Sequence, residues 1–308
     1  MKKYTRLFAV LVVFIMLLAG CGSKETQDTG AEATGGTDST VTQDSSSESI
    51  ETGNGEVSET LKRLMEQGYI TIASSNDAPL SYIDVETNQY TGVDGEIFKD
   101  LMNRLGVPEV RMKTVAFENL LIELNNKSVD MVVDAMYIKP ERKEIALFTN
   151  VWYSEGDCLL VKSDSDIKSL ADLKDKTVDA QKGTAFLEIA QNWEAQGLIK
   201  KLTIMGSQSE LMLSVNTGKV DACITDSIIA GYTLTQDSSL DLKLAEDYTA
   251  DSKGNIGAAL RFEDKDFCAE VNAVLDEMKE DGSLMKYLEQ YGMNDSSFVG
   301  VEEGKTVQ

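Results

Sequence analysis

Residues 120–134 read LLIELNNKSVDMVVD, and residues 211–225 read LMLSVNTGKVDACIT. Each begins as an apolar run at helical spacing, passes a polar turn containing Asn, and reaches Val-Asp followed by a short apolar strand. A helix–turn–strand unit is common, so one copy decides little. Two copies, one in each half at an equivalent place, point to two similarly built lobes.

Around these copies strand and helix patterns alternate, which predicts an α/β protein with mostly parallel sheets. In the first half, 69–73 reads as a strand and 82–90 as a hairpin around Glu86-Thr87-Asn88. Residues 96–105 form an amphipathic helix with Ile97, Leu101 and Leu105 on one face, closed by Gly106. A strand at 110–115, a helix at 117–124 and a strand at 129–133 follow, and Pro140 suits the first turn of a helix. The second half offers strands at 177–180, 202–205 and 220–225, with helices at 185–193 and 209–215. Ligands of open α/β sheets sit beyond the carboxyl ends of the strands. Those ends carry Asp77, residues 134–137, Gly183 and Asp226, which line one cleft if the lobes face each other.

The formal net charge is −23, or −26 without Lys2, Lys3 and Arg6. Such a surface argues against nucleic acid as a partner. There is no histidine, which removes the commonest general base and zinc ligand and every Ser-His or Cys-His nucleophile pair. Cys158, Cys223 and Cys268 are far apart within apolar patterns and lack metal-binding spacing, so buried free thiols, no metal and no cofactor are expected.

At the start, Lys2, Lys3 and Arg6 precede an apolar run from Leu7 to Ala19 and then Gly20-Cys21. A positive region, a short apolar stretch and a small-residue cleavage site describe an export signal over 1–20. Its 13 apolar residues fall short of the ~20 that cross a bilayer. Leu18-Ala19-Gly20-Cys21 resembles a lipobox, which implies lipid on Cys21 and an extracytoplasmic protein anchored to the cell membrane. An ordinary cleaved signal with an incidental cysteine is the alternative. Residues 21–57 are then a tether: rich in Ser, Thr and Gly, with eight acidic residues and only Lys24 basic, they are expected to stay disordered.

Residues 60–295 resemble the bacterial solute-binding proteins of amino-acid ABC importers, the polar amino-acid group. The resemblance rests on YTGVDGEI at 90–97, VDMVVDAMYIKPER at 129–142, QKGT at 181–184, GKVDACITD at 218–226 and NIGAAL at 255–260. It implies a two-lobed α/β fold of the periplasmic-binding-protein type II kind with two crossover strands. One lobe would span 58–156 with 251–300, the other 157–250, with a tail at 301–308 and the crossings near 153–161 and 255–260. It further implies a monomeric, non-enzymatic receptor that closes on an amino acid and docks on an ABC permease.

The family's residues map here as follows. Arg142 would clamp the ligand's α-carboxylate, for which a planar guanidinium suits two parallel bonds. A solvated arginine is the bland alternative, though the positive end of a helix disfavours it. Gly183 and Thr184 open a helix whose free N–H groups suit an anion, while Thr184 also suits an N-cap. Asp226 would receive the ammonium. Phe117 would pack on the ligand or else belong to the core, and Ala135 and Tyr137 would line the cleft. Asp77 stands where the family commonly has an aromatic, Leu80 where it has another, and Tyr137 and Lys139 where it has threonine. Asn76-Asp77-Ala78-Pro79 and residues 136–142 resemble the ectoine-binding branch, although Leu80 departs from that too. A cleft with Asp77, Asp226 and Asp134 against Arg142 would favour a cationic ligand, unless Asp77 and Asp134 are solvated turn residues. Ectoine-like solutes, a cyclohexadienyl or arogenate dehydratase-like lyase, and a receptor for a separate signalling partner are the rival readings.

Overall fold

The computed structural model describes residues 57–250 and 253–307; the export segment, Cys21 and the tether expectations lie outside them. Two sheets organise the chain. In the first, Tyr69–Ser74 pairs in parallel with Glu109–Thr114 on one side and Met131–Val132 on the other. Ala259–Leu260 then enters antiparallel between Met131–Val132 and Leu147–Phe148. In the second sheet Thr177–Gln181 runs parallel to Lys201–Met205 and Ala222–Asp226. Tyr153–Lys162 is antiparallel to Ala222–Asp226 and to Leu242–Leu244.

Both sheets are therefore mixed, not mostly parallel as expected. The reason lies in the crossings. Tyr153–Lys162 is ten residues long; its first part pairs with Lys253–Ile256 and its second with the sheet strand Ala222–Asp226. These two antiparallel strands carry the chain out and back, so the strands they feed cannot all point one way.

The helices bury their apolar faces against these sheets. Val93–Arg104 buries Ile97, Phe98, Leu101 and Met102, and Lys265–Glu280 buries Phe267, Val271, Val274, Leu275 and Met278. Ala185–Ala195 buries Phe186, Ala190 and Trp193 against the second sheet. Each of the large aliphatic and phenylalanine side chains among them contributes about 1.5–3 kcal/mol of transfer free energy. Cys158, Cys223 and Cys268 are free and buried within this packing.

The sequence repeat has a structural counterpart. Asp130 accepts a hydrogen bond from Thr71 N at 3.0 Å while its own N–H donates to the Thr71 carbonyl. Asp221 does the same to Thr177, accepting at 2.8 Å. In each half the Asp of Val-Asp pins a threonine in the first half of the neighbouring strand. The preceding turn needs a left-handed residue in both copies, Lys127 (φ 60°) in the first and Gly218 (φ 70°) in the second.

Candidate ligand cleft

Strand ends from the two sheets converge on one cleft. Ser75, Asp77, Leu80, Phe117, Asp134, Ala135, Tyr137 and Arg142 line one wall; Gln181, Thr184, Ala185, Phe186, Gln208, Asp226 and Ile229 line the other. Its empty space, counting the part open to solvent, is about 420 Å³. Of the ligand-contacting residues expected from the sequence, only Gly183 lies outside the lining, and it forms the lip with Lys139, which is also outside it. The lips touch through Lys139–Glu188, through Lys182–Glu118 at 3.6 Å and through the Tyr137 and Phe186 rings.

Arg142 is the third residue of the short helix Pro140–Lys143, whose first position is proline. It is buried, not solvated: its exposure is 8%. Its guanidinium donates to the Tyr137 carbonyl at 2.8 Å and to the Gly183 carbonyl at 2.9 Å, and lies 5.5 Å from the centre of the Phe117 ring. Among the described residues no carboxylate lies within ion-pair distance of it, and burial depresses its pKa. Two of its five N–H donors are engaged, which leaves three.

Gly183 has φ +81°, and a Cβ there would lie 2.9 Å from Glu118 Cα on the opposite wall. Only glycine allows this close approach. Thr184 caps Ala185–Ala195, its hydroxyl accepting from Leu187 N at 3.3 Å and donating to the Gln181 carbonyl at 2.7 Å. Thr184 is thus an N-cap whose donor is already used, while the first N–H groups of the helix face the cleft end.

Asp226 caps the helix Ser227–Gln236, with one carboxylate oxygen accepting from Ile228 N at 2.8 Å and Ile229 N at 3.0 Å. Burial raises its pKa against those bonds. Gln181 and Gln208 continue this wall as a satisfied chain: Gln208 donates to Gln181 at 2.8 Å and accepts from Thr225 at 2.5 Å.

The opposite wall holds Asp77 and Asp134, bridged by Ser75, whose hydroxyl is 2.7 Å from one carboxyl and 2.6 Å from the other. Ser74 lies 2.6 Å from the Ser81 carbonyl and 2.7 Å from Asp134 Oδ1. A hydroxyl has a single proton to give, and a carbonyl can only accept. If Ser74 donates to Ser81, the Asp134 oxygen facing it must itself carry a proton. Burial, then the Asp77 charge, raise Asp134 to about 8, so the two lines agree. Burial raises Asp77 to about 6, against the Ser75 bond. Neither residue is a solvated turn residue. Asp134 is a neutral acid at neutral pH and Asp77 an anion.

Asp94 holds the floor, accepting from Tyr153 Oη at 2.7 Å and from Ala135 N at 2.6 Å. That bond braces Ala135, whose φ of 44° is unusual for a non-glycine residue. The Tyr137 ring turns toward the crossing strand and fills the space a Cβ on Gly254 would occupy, 1.9 Å away. Sequence reasoning missed Ser75, Gln181, Ala185, Phe186, Gln208 and Ile229 as lining residues. For all but Gln208, which opens the helix Gln208–Asn216, the one signal was nearness to strand ends already marked as cleft-facing.

The sequence model of the bacterial extracellular solute-binding proteins, family 3, matches residues 70–294. The chain belongs to this family. Its members are extracellular or periplasmic solute-binding proteins, and the relatives support a general amino-acid-binding role; among the described residues no helix is long and apolar enough to cross a membrane. The arginine-binding extracellular protein ArtP of Bacillus subtilis is 29% identical over 214 residues, 69% of this chain and 81% of that protein. An ancestral arginine-binding protein solved with arginine superposes with a TM-score of 0.67 at 27% identity, covering 73% of this chain and 98% of that one. The ancestral amino-acid-binding protein AncCDT-1, a precursor of cyclohexadienyl dehydratase, gives 0.66 at 29% identity, covering 75% and 99%. The two-lobed type II fold with two crossover strands is thus the family's own.

Proposed function

We propose that this family 3 protein captures a cationic amino acid between its lobes and delivers it to an ABC permease. The arrangement that carries the reading is the charge pattern of the cleft: one buried guanidinium, Arg142, with acids on both facing walls, Asp226 on one and Asp77 on the other. Arg142, helped by the N-terminus at Gly183-Thr184, takes the α-carboxylate; Asp226 takes the α-ammonium; Asp77 faces a distal cation while Phe117 and Tyr137 pack on the stem. An arginine-like or lysine-like ligand satisfies every charge, whereas glutamate would set its second carboxylate against Asp77. The arginine-binding relatives support the same choice. Ectoine-like solutes fit less well, since Leu80 supplies no stacking ring.

In this reading the lobes are 58–156 with 251–300 and 157–250, hinged at the two crossing strands. The protein works as a monomer, exported and held at the cell membrane by lipid on Cys21. A thermal-shift screen of amino acids tests the ligand class, because a ligand at one hundred times its Kd adds about 2.7 kcal/mol of stability. The reading fails if Arg142→Ala leaves the shift of the best ligand unchanged.

A lyase reading has one observation in its favour, the neutral Asp134 acid at the cleft wall, which suits proton donation to a leaving group. Turnover of prephenate or arogenate by the purified protein would establish it; stoichiometric binding without turnover sinks it.

A further inference from the structure

Behind Asp226 sits a carboxyl that the cleft chemistry described so far does not use. Glu155 lies on the crossing strand Tyr153–Lys162 with 3% exposure, and apart from the Asp226 carboxyl and the Tyr137 hydroxyl beside it its oxygens have no hydrogen-bond partner. The polar groups acting on it are the Asp226 carboxyl, Tyr137 and Asp157; the Tyr137 hydroxyl is 3.4 Å from the Glu155 carbonyl. Strand register explains the crowding. Asp157 is directly opposite Asp226, and alternation along the strand sets Glu155 on the same side as Asp157. Asp157 is bonded by the Tyr248 hydroxyl, and Asp77 and Asp94 also feel the Asp226 charge. The remaining neighbours, Tyr153 and Cys158, are not cations.

We propose that Glu155, acting through Asp226, couples capture of the ligand's ammonium group to release of one proton. The inference rests on the reading in which Asp226 receives that ammonium. Two buried carboxyls side by side without a cation cannot both ionise cheaply, so the empty pair keeps a proton between them. Asp226 is the stronger acid, because the N–H groups of Ile228 and Ile229 hold one of its oxygens. Glu155 is the partner that keeps the proton; burial and the Asp226 charge both push its pKa well up. An arriving ammonium puts a positive charge and N–H donors where that proton served. The O–H bond of Glu155 then ionises, the proton leaves to solvent, and no other bond changes. Glu155 is a positioning residue: it need not touch the ligand. The sign follows from linkage: a step that releases a proton tightens as pH rises, by up to about tenfold in Kd per pH unit for one proton.

The test is titration calorimetry of the protein with L-arginine in two buffers of different ionisation heat, repeated across about pH 6 to 9. Wild type should release about one proton more than Glu155→Gln, and the variant's Kd should change less with pH. Glu155→Leu, also without a titratable group, provides the comparison if Glu155→Gln does not fold. Equal proton release by wild type and variant, or none by wild type, overturns the proposal while leaving the amino-acid reading intact. Failure of L-arginine, L-lysine and L-glutamine to bind at all overturns that reading and takes this inference with it.

Discussion

Arg142 is a buried cation that spends two donors on carbonyls and keeps three for a guest. Its removal should leave a ligand carboxylate unpaired in a dry site, at a cost of about 2–5 kcal/mol of binding. Arg142→Ala is therefore expected to weaken the best ligand at least thirtyfold by calorimetry, and Arg142→Lys to recover only part, since an ammonium cannot make the forked pair. Asp134 allows a sharper prediction. As a neutral acid it donates to Ser74, which an asparagine amide can also do. Asp134→Asn should leave the unfolding free energy within about 0.5 kcal/mol, whereas Asp134→Ala, which strands Ser74, should cost about 1–3 kcal/mol. An Asp134→Asn protein as unstable as the alanine variant would mean that Asp134 is ionised.

The repeated helix–turn–strand unit is the element that made the fold legible, and its logic can be tested in both copies. The left-handed turn residue is glycine in the second copy and lysine in the first. Gly218→Ala should lose about 1–2 kcal/mol, the cost of placing a Cβ in the left-handed region. Lys127→Gly should gain up to about 1 kcal/mol, since the relief there exceeds the added chain entropy of glycine. Denaturant midpoints decide both, and a stabilising Gly218→Ala would contradict the account. The strands and helices around the cleft were readable because each combines an apolar period with a polar turn. The helices Glu59–Gln67, Ser227–Gln236, Lys265–Glu280 and Ser283–Gln290 lie outside the repeated units and escaped that reading. The cleft acids Asp77 and Asp226 were visible as strand-end carboxylates. Glu155 was not, because it stands inside a strand pattern where alternation says only that a side chain is buried or exposed. Its meaning depends on which strand lies alongside, and register is a long-range fact that one strand's sequence does not hold. The mixed sense of the sheets escaped for the same reason: the crossing strands reverse direction only once their partners are known.

Across the whole molecule, the same acids tie stability to pH. Asp77, Asp94 and Asp134 are raised to about 6, 7 and 8, chiefly by burial, from an unfolded value of 3.8. A carboxyl raised on folding binds its proton more tightly in the native state, so its stabilisation is full below the unfolded value and is lost as pH climbs through the folded one. The ligand-free protein should melt at a higher temperature near pH 5 than near pH 8.5, each kcal/mol being worth about 2–4 °C for a chain of this size. Asp134→Asn should flatten the upper part of that slope. A saturating cationic ligand should counter the loss at high pH, because it supplies the charge that the ionised acids lack. On the proposed function, closure of the lobes brings Asp226 on one wall against Arg142 and Asp77 on the other, and selectivity for positive charge is the central consequence. Calorimetric titration of the purified protein with L-arginine and L-glutamate, side by side at neutral pH, tests this most directly. The account predicts one-to-one binding of L-arginine and none of L-glutamate; tight binding of L-glutamate with no uptake of arginine, lysine or ectoine would contradict it.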